Sequence, residues 1–96
     1  MAIQAVIIDP EDNVGVALTD LSSGMRLDLK TGSKKLQIKL AEAIPYQHKF
    51  SVADIAAGQE LKKHGIVIGV ATRDIKPGEH VHVHNMTGLR AKAAGK

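Results

Sequence analysis

Three stretches of this chain share one eight-residue pattern: DLSSGMRL (20–27), DIAAGQEL (54–61) and DIKPGEHV (74–81). Each reads Asp, aliphatic, two residues, Gly, two residues, aliphatic. A carboxylate at the mouth of a turn accepts nearby backbone N–H groups, and glycine takes the positive φ that a side chain resists. Pro77 before Gly78 fits a type II turn, with proline at i+1 and glycine at i+2. The aliphatic residue that closes each copy starts the next strand. One structural device used three times in 96 residues predicts a fold built from short strands and tight turns.

The segments between the turns agree. QAVII (4–8) stops at Asp9-Pro10, VGVAL (14–18) follows, and MRLDL (25–29) and LQIKL (36–40) alternate apolar and polar side chains as half-buried strands do. GIVIGVAT (65–72) is β-branched and nearly unbroken, which predicts a strand covered on both faces. The one helical candidate, Ser51 to His64, carries Gly58 at its centre, at a cost of about 1 kcal/mol against alanine. The expectation is an all-β domain with at most one short helix.

Composition narrows the function. With Phe50 and Tyr46 as its aromatic residues, the chain must build its core from Val, Ile, Leu and Ala, and a partner subunit would help so small a domain. There is no cysteine, hence no disulfide or thiolate chemistry, which suits a reducing, cytoplasmic setting. No run approaches a membrane span. The net charge of +3 is partly carried by the basic end of the chain, and neither a clustered basic face nor interleaved aromatics is visible, so no nucleic-acid partner is expected. A mild positive balance suits a small anionic ligand.

HVHVHN (80–85) carries the chemistry. On a strand, His80, His82 and His84 point one way, and Val81 and Val83 point into a core. Two imidazoles at i and i+2 can chelate a divalent metal if other ligands join them; the plain alternative is an exposed polar strand face. His48 beside Lys49 sets a titratable ring next to a cation, which suits a carboxylate or sulfonate. His64 before Gly65 reads as a turn residue. The serines (Ser22, Ser23, Ser33, Ser51) lie outside any nucleophile elbow, no glycine-rich phosphate loop occurs, and no carboxylate pair stands out. Such a chain reads as part of an enzyme.

DPEDNVGVALTDLSSG (9–24), IPYQHKFSVADIAAGQELKKHGIVIGVATRDI (44–75) and GEHVHVHN (78–85) resemble, in order and spacing, the small domain of the altronate/galactarate dehydratase family. That family also includes sulfolactate sulfo-lyase, whose small subunit is a separate chain. The resemblance implies a SAF-type domain with a β-clip fold over residues 1–86, followed by a flexible basic tail at 87–96. It implies a subunit of a carbon–oxygen hydro-lyase of the altronate/hexarate type, or of a related sulfo-lyase. Such a subunit completes the active site of a separate large catalytic subunit acting on a small anionic hydroxy acid, and a homo-oligomer is possible. A divalent metal (Fe2+, Mn2+ or Mg2+) would be held mainly by the large subunit. Carried over by position, His48, Lys49 and His84 are candidate catalytic residues, and Asn13, Lys49 and Asn85 candidate substrate-binding residues. His82 and His84 are candidate metal ligands and are expected to outweigh His80. Two departures stand out: Gln47 replaces the glycine common before His-Lys, and His64 replaces a tyrosine common before the glycine at Gly65. The alternative reading is a stand-alone SAF-type module that binds an anionic sugar or metal without catalysis.

Overall fold

The computed structural model describes residues 3–32 and 34–88. Nine strands follow one another: β1 (Ala5–Val6), β2 (Val14–Ala17), β3 (Arg26–Thr31), β4 (Lys34–Lys39), β5 (Lys49–Ser51), β6 (Glu60–Lys63), β7 (Ile66–Ala71), β8 (His80–Val81) and β9 (Met86–Gly88). No helix forms among the described residues; the candidate over 51–64 is instead the end of β5, a turn and the whole of β6. All pairings are antiparallel, in a four-stranded sheet β1-β2-β5-β8, a β3-β4 hairpin and a three-stranded sheet β6-β7-β9. Thr87 and Gly88, expected in the tail, pair with β7 through β9; the rest of that tail (89–96) lies outside the described residues.

The repeat is the frame of the molecule. Leu21 bridges to Ile44 and Ile55 bridges to Ile75, so the turns meet in two back-to-back pairs. Ile44 opens a fourth turn that falls outside the sequence repeat, because Ala43 stands where the others have Asp and Gln47 where they have Gly. All four share one bonding scheme. The N–H of Met25, His48, Gln59 and Glu79 donates to the carbonyl three residues back, on Ser22, Pro45, Ala56 and Lys76. The preceding residue in each, Gly24, Gln47, Gly58 or Gly78, donates to Leu40, Ala17, Ala71 or Ser51 at 2.8 Å. The aspartates act across the pairs: Asp20 accepts the N–H of Tyr46 and Asp74 that of Ala57, each at 2.9 Å. Asp54 faces the turn whose second residue is Pro77, which has no N–H, and instead meets Lys76 Nζ at 3.4 Å.

Two apolar clusters fill the space. One holds Phe50 with Leu21, Leu27, Leu29, Ile38, Leu40 and Ile44; the other holds Val14, Ile55, Leu61, Ala71, Ile75 and Val81. The β2–β5 ladder separates them, because alternation sends Phe50 to one side and Val81, opposite Lys49, to the other. Gly15 lies under the Phe50 ring, where a Cβ would come within 2.7 Å of Cζ. β7 is not covered on both faces: Ile66 is 65% exposed, and Val67, Ile68 and Val70 are half-buried. Its β-branched run reflects a strand with neighbours on both edges but core on one face.

Candidate active site

The fourth turn differs from its siblings in what its last side chain does. In the others that side chain folds back to accept the first N–H of its own turn: Met25 Sδ from Ser22 at 3.3 Å, Gln59 Oε1 from Ala56 at 3.0 Å and Glu79 Oε1 from Lys76 at 2.7 Å. At the fourth turn the first residue is Pro45, which has no N–H to offer. The His48 ring has no such duty and turns to β8, where its Nδ1 lies 2.8 Å from His80 Nε2.

Register explains the meeting. Phe50 stands opposite His80, so His80 shares a face with Phe50 and with His48 two residues earlier. His48 stacks on His80 (ring centroids 5.0 Å apart) and nearly parallel on His82 (4.9 Å, 7°). His80 also meets His82 at 5.5 Å and His84 at 5.7 Å. Four of the five histidines therefore form one row, and His64 stays apart in the β6–β7 turn.

The expected strand across 80–85 stops at Val81. Residues 82–85 form a turn, and Val83, expected in the core, is 81% exposed. Asn85 causes this. Its Oδ1 accepts the His82 N–H at 3.0 Å, its Nδ2 donates to the His80 carbonyl at 2.8 Å, and its own N–H returns to the His82 carbonyl at 3.0 Å. Arg73 Nη2 holds the His84 carbonyl at 2.8 Å, and Glu42 Oε2 accepts the His80 N–H at 3.1 Å. Asn85 is buried with both ends of its amide occupied, so it positions the histidines.

The other expected site residues scatter. Lys49 emerges on the face opposite His48, in register with Val16 and Val81; burial, and then the nearby Lys63 charge, lower its pKa. The anticipated side-by-side ring and cation are thus split across the sheet. Asn13 clamps β6, accepting the Lys62 N–H at 2.8 Å and donating to the Glu60 carbonyl at 2.9 Å. Its neighbour Asp12 accepts the N–H groups of Asp9, His64 and Gly65 and ties the β1–β2 turn to the β6–β7 turn.

The pKa of His80 lies below the ordinary histidine value, through burial first and then the neighbouring His48 charge; Glu42 works in the opposite direction, and His82 and His84 add to the lowering. The His48–His80 contact needs one protonated nitrogen and one bare one, so it favours at least one neutral ring. A row of this kind can relay or hold a proton, and its exposed rings can meet an anion.

A divalent metal was the other expectation. Among the described residues no three His, Asp or Glu side chains converge as a metal centre. His82 and His84 are not a strand pair, because the turn breaks the i, i+2 geometry that chelation assumed. The donors here fit a chain that lends a ring or two to a centre held elsewhere, and do not fit a self-contained site.

Residues 3–89 match the family model of the altronate/galactarate dehydratase SAF domain. This chain belongs to that family. It is 35% identical over 93 residues to (2R)-sulfolactate sulfo-lyase subunit alpha of Chromohalobacter salexigens, covering 94% of this chain and 99% of that one. It is 40% identical over 82 residues to altronate dehydratase of Escherichia coli and 37% identical over 78 residues to that of Bacillus subtilis. Those alignments span 85% and 81% of this chain but 16% and 15% of the dehydratases. The family sets the chain among lyase-associated SAF domains, and the lengths make a larger partner plausible. No helix among the described residues is long and apolar enough to cross a membrane.

Proposed function

We propose that this chain is the small subunit of a metal-dependent sugar-acid dehydratase of the altronate/galactarate type, or of a related lyase, and completes the active site of a separate large subunit. The histidine row is the observation that supports the reading: four rings gathered at one edge, held by Asn85, Arg73 and Glu42, while among the described residues no three ligating side chains converge as a metal centre. Elimination from a hydroxy acid needs a base near the carbon adjacent to the carboxylate and an acid near the leaving group. His48, whose Nδ1 is engaged by His80, offers Nε2 to the substrate, and His84 at the end of the row is the second proton carrier. Lys49, on the other face of β5, makes no contact with a substrate held at the row and adds only long-range positive charge for its carboxylate. Asn13 and Asn85 serve binding indirectly, by fixing β6 and the 82–85 turn. A divalent metal held chiefly by the large subunit would polarise the hydroxy acid, and His82 is the ring this chain would lend it.

Co-expression with the large lyase chain of the same organism is the test. The expected result is a stable complex in which both chains are required for hydroxy-acid turnover. Tight calorimetric binding of hexarates or divalent metals to this chain alone, with no association, would favour the stand-alone binding module instead.

A further inference from the structure

The β3–β4 hairpin collects charge that is dispersed in the sequence. Its outer face carries Arg26, Asp28 and Lys30 on β3 and Lys35, Gln37 and Lys39 on β4, all exposed. The register sets Arg26 directly opposite Lys39 and Lys30 directly opposite Lys35. Like charges in directly opposed positions destabilise a strand pair, and a sheet face selected for stability alone would alternate signs. The single acid, Asp28, is turned to Gln37, whose Nε2 donates to Oδ1 at 3.1 Å. Among the described residues, no carboxylate lies within ion-pair distance of any of the four cations. The face carries no aromatic side chain for bases to stack on.

The hairpin is also tied to the histidine row. β4 runs straight into Leu40, Ala41 and Glu42; the Ala41 N–H donates to Gly78 at 2.9 Å, and Glu42 takes the His80 N–H at 3.1 Å. A chain that covers the row therefore has the hairpin within reach.

We infer that the outer face of the β3–β4 hairpin is a docking surface for an acidic strip on the large lyase subunit. The inference rests on the proposed function and adds the partner's chemistry. Docking supplies the counter-charges that the hairpin lacks, so the repulsion between Arg26 and Lys39 and between Lys30 and Lys35 is relieved only in the complex. Electrostatic docking of this sort shows in association rate and salt dependence.

The test is the double variant Arg26→Glu/Lys30→Glu in the full chain, which converts both like-charge pairs into opposite-charge pairs. Affinity for the large subunit and its salt dependence are measured beside the thermal midpoint of the free chain. The expected result is a trade: Tm rises by about 1–4 °C as repulsion becomes attraction, while binding weakens about tenfold or more and loses most of its salt dependence. A wild-type complex whose affinity and salt dependence the variant leaves intact overturns this inference and spares the proposed function. No association by the wild-type chain overturns both. A short DNA duplex that binds this face of the wild-type chain without weakening its affinity for the large subunit would reassign the face to nucleic acid and overturn the inference.

Discussion

At Ser22, Ala56 and Lys76 the first N–H of each turn is capped by a side chain three residues on, while at Pro45 there is no N–H and the corresponding side chain, His48, reaches across to another strand. The backbone scheme is the same at all four turns, down to the paired bonds with Leu40, Ala17, Ala71 and Ser51. What differs is the use of one side chain. Three turns spend it on their own closure; the fourth releases it to a site. One proline thus divides the self-capped copies from the one whose side chain joins the histidine row, and that copy is also the one that tolerates Gln47 at φ 69°.

The largest expected effect is on catalysis. His48→Ala in the assembled enzyme should lower turnover about 10²–10⁴-fold, the range for a lost proton-transfer group, and shift Tm little, since no cap is removed. Steady-state kinetics beside a melting curve would show this; a large Tm loss with intact turnover would make the fourth turn like the others.

Next come the glycines. Gly78→Ala sets a Cβ 2.2 Å from the Lys39 carbonyl oxygen at φ 89°, whereas the same change at Gly24 meets nothing within 4 Å. Chemical denaturation should give a cost of about 1 kcal/mol for Gly24→Ala, from the positive φ alone, and a clearly larger one for Gly78→Ala. Equal costs would mean that the turns are held by φ preference and not by their packing against β4.

The repeat, the all-β class and the resemblance were legible because turn chemistry is local: Asp, Gly and Pro act within four residues of themselves. The fourth turn was illegible for the same reason. Ala43 and Gln47 remove both of its signals, and only the bridge from Ile44 to Leu21 and the bonds to Ala17 identify it. The histidines at 80–85 were legible as a group, but their alternation with valine imitated a strand. A buried asparagine that ends the strand leaves no periodic trace. The meeting of His48 with His80 was illegible because the two lie 32 residues apart, and the basic face went unseen because strand pairing, not sequence adjacency, assembles it.

Smaller effects sharpen the contrast between turns. Gln59→Ala removes a cap and should cost about 1 kcal/mol of stability with no change in turnover, the mirror image of His48→Ala. Gln47→Gly should add about 0.5–1 kcal/mol by removing a side chain from positive φ; a destabilised variant would mean that Gln47 makes a contact the turn needs. The acid response is the last. With His80 held below the ordinary 6.5, the unfolded chain binds its proton first. Stability is therefore full above that value and falls as pH drops through it. Calorimetry from about pH 7.5 to about 5.5 should show Tm declining, and less steeply in His80→Gln.

The central claim, that these rings serve a reaction completed by a larger chain, meets its most direct test in reconstitution. The large subunit is combined in turn with the wild-type chain and with a His48→Ala/His82→Ala/His84→Ala variant, and hydroxy-acid elimination is measured once binding has been verified. The account predicts that both assemble and that only the wild-type complex turns over; full turnover with the variant would contradict it.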